Sequence, residues 1–262
     1  MARRPVQPGG VAGGAVSADR PGPAYGVDHE ALESFIGKWR ARWPEWSVAE
    51  VFVPPAQRPI ALAWGALQQE LTDAAWGGSD ARPGEAKLAW WAEELIGWSR
   101  GMRRHPLGVV LQSQATSWPA LTAALPALPA SRERPRDPEE SGAMLQPFAE
   151  AVAAIDAELF GSEGRAGVDH RAAQLVAACL QQARFQQPGD AHVPLSLLAG
   201  QADGGGRDRW ARHLLAHWPI AGGARPRRLW AALARGRLER GDATRPVPTW
   251  HVLWRSWRAA RN

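Results

Sequence analysis

Cysteine is nearly absent: Cys179 stands alone in 262 residues. That excludes an internal disulfide framework and a thiolate-built metal cluster, and makes a reducing compartment the default. No uninterrupted apolar run reaches about 18 residues, so no transmembrane helix is expected. The first 25 residues have few large apolar side chains, neither the apolar core of a secretory signal nor the arginine face of a transit peptide. A cytoplasmic location is therefore expected, at most peripheral to the inner membrane. No convincing alternation of polar and apolar residues marks a strand, and tyrosine is represented once, beside five Phe.

Against these scarcities stand fifteen Trp. Rings of that size suit helix interfaces, with their indole N–H groups expected to reach polar partners. The length and a 45% hydrophobic content support one core. The organisation expected is a disordered segment over 1–25, rich in Gly and Pro and too apolar-poor to offset its ordering entropy, followed by a single domain over 26–262. The net charge of +5 arises mainly toward the C-terminus, where Arg207 to Arg261 holds many arginines against Asp208, Glu239 and Asp242. Such a field attracts phosphates, nucleic acid or an anionic membrane. The simpler reading is a solvated basic face; peripheral membrane contact stays open, and nucleic acid is not the expected partner.

The remaining pattern is helical throughout. Asp28 reads as an N-cap before Leu32, Phe35, Ile36 and Trp39. A second helix follows Pro54-Pro55 and stops at Gly77-Gly78. Gly84 to Arg100 places Leu88, Trp91, Leu95 and Trp98 on one face. Leu107 to Ala127 reads as helix broken near Trp118-Pro119, with a charged loop over 130–141. Met144–Phe160, Asp169–Phe185, Arg209–Trp218, Arg227–Leu238 and Thr249–Ala260 complete an array of about eight helices, with a Gly-rich loop at 201–206. All-α is the fold class.

Two blocks carry a family resemblance. Val51-Phe52-Val53-Pro54-Pro55-Ala56-Gln57-Arg58 is similar to the F-L-P-A-x-x-R entry to the first catalytic helix of the squalene/phytoene synthase family. Gly84-Glu85-Ala86-Lys87-Leu88-Ala89-Trp90-Trp91, followed by Arg103-Arg104-His105-Pro106, resembles that family's G-E-x-R-L-x-W-W and R-H-P segment. Glu158-Leu159-Phe160-Gly161 and His192-Val193-Pro194-Leu195 are weaker matches further on. The resemblance implies an isoprenoid-synthase helical bundle around a central cleft. It also implies head-to-head condensation of prenyl diphosphates, with Mg²⁺ held by aspartates four apart on two facing helices, since hard cations want carboxylate oxygens.

Those aspartates are missing. Matched residue by residue, the first pair falls on Thr72 and Trp76, and the preceding tyrosine and arginine positions on Gly65 and Gln69. The second pair falls on Gln182 and Gln186, with its arginine position at Gln181. A neutral amide is a poor Mg²⁺ ligand and an indole is none. Glu70 and Asp73 lie near the first site, and a shifted helix could offer them as a replacement pair at i, i+3 spacing; surface solvation is the simpler reading of both. The chain also resembles the family's complex I assembly-factor branch, whose aspartate motifs are degraded, in Leu253-Trp254-Arg255-Ser256-Trp257-Arg258 and Val168-Asp169-His170. The expectation is therefore a pseudoenzyme without cofactor that binds a partner protein or a prenyl lipid in a cleft lined by Trp64, Leu67, Trp90 and Trp91. The alternative is a Mg²⁺-dependent head-to-head transferase with an atypical metal site.

Three other constellations are weighed and set aside. His213 and His217 lie four apart without an intervening carboxylate of the zinc-peptidase kind. Gly204-Gly205-Gly206 lacks phosphate-cradle spacing, and Ser99, His105 and Asp137 lack a nucleophile elbow. Trp250, Trp254 and Trp257 have the spacing of a buried stripe, and core packing is expected of them.

Overall fold

The computed structural model describes residues 1, 23–161, 169–199, 205–220, 222–241 and 245–261. Most of the expected disordered segment and of the Gly-rich loop at 201–206 thus falls outside the described residues. Among those described there is no strand.

The first helix, α1 (Pro23–Arg42), begins five residues ahead of Asp28, which is not its N-cap, and takes in the last three positions of the segment expected to be disordered. Leu32, Ile36 and Trp39 are buried along one face, as their spacing predicts. After the short α2 (Trp46–Ala49) come two 3₁₀ turns, Glu50–Phe52 and Pro55–Gln57, and then α3 (Arg58–Trp76). Arg58 donates from Nε to the Val53 carbonyl at 3.0 Å and from Nη2 to that of Val51 at 3.3 Å. The arginine of the first motif block therefore pins the turn that launches α3. At the other end, Arg132 donates to the carbonyls of Ala75, Gly77 and Gly78, closing the otherwise unpartnered C-terminus of α3.

Helix α4 (Arg82–Ser99) buries Leu88, Trp91, Leu95 and Trp98. Gly84 is required by packing: a Cβ there would lie 2.0 Å from the Ala74 carbonyl oxygen, so only glycine lets α4 start this close to α3. The stretch expected as one broken helix is three short ones, α5 (Gly108–Leu111), α6 (Trp118–Ala124) and α7 (Ala127–Ala130). Pro119, Pro126 and Pro129 each suit a first turn and interrupt any longer helix.

Helix α8 (Pro138–Phe160) opens on Asp137, whose side chain accepts from the Glu140 N–H at 2.8 Å, and α9 (His170–Phe185) opens on Asp169, which accepts from Arg171 N–H at 3.0 Å. α10 (Leu195–Leu198), α11 (Gly206–Ala216), α12 (Arg225–Glu239) and α13 (Thr249–Arg261) finish the chain. α8 packs along α9, α9 along α12, and α12 along α13, while α3 lies against α1 and α4.

Two runs of edge-to-face indoles knit these helices. Trp90, Trp91, Trp98, Trp118 and Trp64 meet in sequence at centroid distances of 5.2, 6.3, 5.1 and 6.1 Å. Trp39 meets Trp46 at 5.2 Å and Trp230 at 5.9 Å, and Trp230 meets Trp43 at 5.8 Å. Such contacts add about 0.5–1.5 kcal/mol each beyond burial. The expected polar partners exist only in part. Trp64, Trp76 and Trp98 donate to oxygens, whereas the buried indole nitrogens of Trp39, Trp46, Trp91 and Trp118 have no hydrogen-bond acceptor.

Candidate functional site

The positions singled out in the sequence lie on α3 and α9. Thr72 of α3 and Gln186 of α9 line one cavity together with Gln68, Gln69, Cys179 and Leu180, closed by Trp43 of the α1–α2 turn and by Arg227 and Trp230 of α12. Its volume is about 40 Å³, a few waters at most, where ligand pockets hold roughly 300–1,000 Å³. Thr72 turns its hydroxyl back onto the Gln68 and Gln69 carbonyls at 2.9 and 3.1 Å. Trp76 points elsewhere, donating to the Ser131 Oγ at 3.0 Å and the Leu128 carbonyl at 3.3 Å beside α7. Gln182 is buried, and neither end of its amide meets a hydrogen-bond partner among the described residues.

The space between these helices is held by a buried polar network. Arg227 donates to Asp156 of α8 from Nε at 2.7 Å and from Nη2 at 3.2 Å, and to the Gln68 Oε1 at 2.7 Å. Asp156 also accepts the Trp64 indole N–H at 2.7 Å. Burial alone would lower the Arg227 pKa, but the Asp156 carboxylate outweighs it and holds the guanidinium charged. Burial pushes the adjacent Cys179 thiol up to about 11, so it is an inert core side chain. Four helices, α3, α8, α9 and α12, thus meet on one compensated ion pair. Sequence reasoning passed over Asp156, Gln68 and Arg227. The available signal was a lone Asp in the apolar run Ala151-Val152-Ala153-Ala154-Ile155-Asp156-Ala157, because an acid on a buried stripe demands a partner.

Glu70 and Asp73 each have a cation of their own. Lys87 Nζ lies 2.6 Å from Glu70, and Arg42 donates to Asp73 at 3.2 Å. Burial raises the Asp73 pKa, with Arg42 opposing. Among the described residues no three His, Cys, Asp or Glu gather as a metal site would need. With Thr72, Trp76, Gln182 and Gln186 at the matched positions, the donor set does not fit Mg²⁺.

The expected cleft lining is core. Trp64, Leu67 and Trp91 are buried and Trp90 is half-buried under the Arg104 guanidinium at 5.3 Å; none of them borders the cavities described. The second motif block is explained by Glu94. Its buried carboxylate accepts from the Trp98 indole at 2.8 Å, the Arg104 and His105 backbone N–H groups at 2.7 and 2.8 Å, and Arg104 Nε at 3.0 Å. Burial pushes this carboxyl up, but the four hydrogen bonds prevail and hold it below the usual range. His105 is wedged among Phe35, Trp90 and Trp91, and burial lowers its pKa to about 4. It has no contact with Ser99, which bonds to the Ile96 carbonyl, or with Asp137, which caps α8.

Larger hollows lie away from this centre. One of about 470 Å³ is bordered by Trp210, His213 and His217, whose rings stack in series at 5.4 and 4.1 Å, with Asp137, Glu139 and Gln181 opposite. Another of about 430 Å³ lies between α12 and α13 and is rimmed by arginines.

A solved squalene synthase, HpnC from Alicyclobacillus acidocaldarius, is similar to this chain: the match covers 90% of this chain and 91% of the other, with a TM-score of 0.52 and 19% identity. At that identity the likeness establishes the fold, an all-α isoprenoid-synthase bundle. No family model matches the sequence, and no curated protein matches it.

Proposed function

We propose that this chain is a non-catalytic member of the isoprenoid-synthase fold that works by binding, in the manner of an assembly factor, with a partner protein as the favoured ligand over a prenyl lipid. The observation that carries the reading is the Asp156–Arg227–Gln68–Trp64 network between α3, α8 and α12. Where two aspartate-bearing helices would grip a metal-bound diphosphate, the chain has a buried arginine already neutralised, neutral side chains at the matched positions, and a cavity of about 40 Å³. A prenyl chain needs several times that volume. Ionising a diphosphate needs carboxylate-held cations, and Glu70 and Asp73 are committed to Lys87 and Arg42. No observation favours the transferase alternative.

The test is turnover of radiolabelled farnesyl and geranylgeranyl diphosphate by the purified protein with Mg²⁺ or Mn²⁺, against an EDTA control. Folded protein, verified by circular dichroism, is expected to release no diphosphate. Metal-dependent release with a head-to-head hydrocarbon product would sink the proposal and direct attention to Glu70 and Asp73.

A further inference from the structure

On α13, the positions 250, 253, 254, 257, 258 and 261 fall on one helical face, and every one is exposed. They are Trp250, Leu253, Trp254, Trp257, Arg258 and Arg261. The exposures of the apolar four are 68, 50, 50 and 46%. The opposite face, Val252, Ser256 and Ala259, is the one packed onto the body. The three indoles expected to be core are therefore outside, which corrects the reading of them as a buried stripe. Ile220, 90% exposed, borders the same α12–α13 groove as Trp254.

The cations on this face lack carboxylate partners among the described residues. Arg258 and Arg261 lie over the Trp254 and Trp257 rings at 4.8 and 4.7 Å, while the nearby Glu239 is already paired with both Arg235 and Arg255. A face of Trp and Leu bordered by arginines matches the chemistry of an anionic bilayer surface: indoles favour the headgroup boundary, leucine the acyl region, and guanidinium the phosphates. No helix among the described residues is long and apolar enough to cross a membrane. We infer that α13 lies flat on an anionic lipid surface through this face, a contact that does not depend on what the core binds.

The test is flotation of the full chain with vesicles of phosphatidylcholine alone and of phosphatidylcholine mixed with phosphatidylglycerol, together with tryptophan quenching by brominated lipid. Expected are binding to the anionic vesicles only, weakening with salt, and quenching of the exposed indoles. Trp254→Ser with Trp257→Ser should abolish flotation and most of the quenching. Arg258→Gln with Arg261→Gln, both exposed and therefore safe for folding, should weaken binding about 30-fold. Variants that float as the parent does, or binding indifferent to phosphatidylglycerol, would overturn the inference. So would a concentration-dependent dimer that Trp254→Ser with Trp257→Ser dissolves, since a second copy would then own the face.

Discussion

The Trp39 indole occupies the space that a side chain on Gly65 would need: a Cβ added there would come 2.7 Å from its ring carbons. Gly65 therefore lets a core ring of α1 pack directly against the backbone of α3. Gly65→Ala should destabilise by about 1–3 kcal/mol through overpacking, despite a helix-propensity gain of up to about 1 kcal/mol. Combining it with Trp39→Phe should recover part of the loss. Urea unfolding of the two single variants and the double variant measures this directly.

Breaking the central ion pair should be costly in a specific way. Arg227→Met leaves Asp156 buried and uncompensated, and a loss of about 3–5 kcal/mol is expected. Adding Asp156→Leu removes the orphaned charge and should restore much of the stability, although Gln68 and Trp64 keep unpaired groups. Equal losses in the single and double variants would show that the charge is not what matters.

Glu94→Gln should cost about 2–3 kcal/mol, because four donors lose a charged acceptor. The folded pKa lies below the ordinary 4.5, so the contribution is present above about pH 4.5 and is lost as pH falls through the folded value. Denaturant midpoints of parent and variant should therefore converge in acid.

A half-buried and a buried histidine set a second acid limit. Burial lowers both His105 and His192 to about 4. Each has a ring nitrogen placed to accept, His105 Nδ1 from the Leu107 N–H at 3.1 Å and His192 Nε2 facing Arg207 at 3.4 Å, which favours the neutral rings. Between about pH 6.5 and 4 the unfolded chain takes up protons that the folded one refuses, so stability falls as pH drops through that window. His105→Asn with His192→Gln keeps an acceptor at each place and should flatten the slope of urea midpoint against pH.

How far the sequence could be read depended on whether the deciding interaction was local. α4 was legible because Leu88, Trp91, Leu95 and Trp98 repeat at helical spacing and all four are buried. The α9 start was legible from Asp169, whose side chain accepts from the Arg171 N–H. α13 was misread because periodicity identifies two faces without saying which one packs. Val252, Ser256 and Ala259 form the face that packs, and the large rings are left outside. Of the central network only the need of Asp156 for a partner was legible, because Arg227 stands 71 positions from Asp156 and 159 from Gln68. Trp64 and Leu67, expected to line a cleft, are buried, and Trp64 is tied to the same network through Asp156.

Glu45, buried after α1, accepts from Arg237 Nε at 2.8 Å and Nη2 at 2.5 Å, partners 192 positions away, and from the Val247 N–H, 202 positions away. Arg237 also covers the Trp43 ring at 4.0 Å. A ribosome making this chain has therefore added about 200 residues beyond Glu45 before Glu45 can meet its partners Arg237 and Val247. Contacts of such long sequence separation slow folding, so the nascent chain is expected to depend on chaperone protection until α12 emerges, and truncation before Val247 should unravel the beginning of the protein as well as its end.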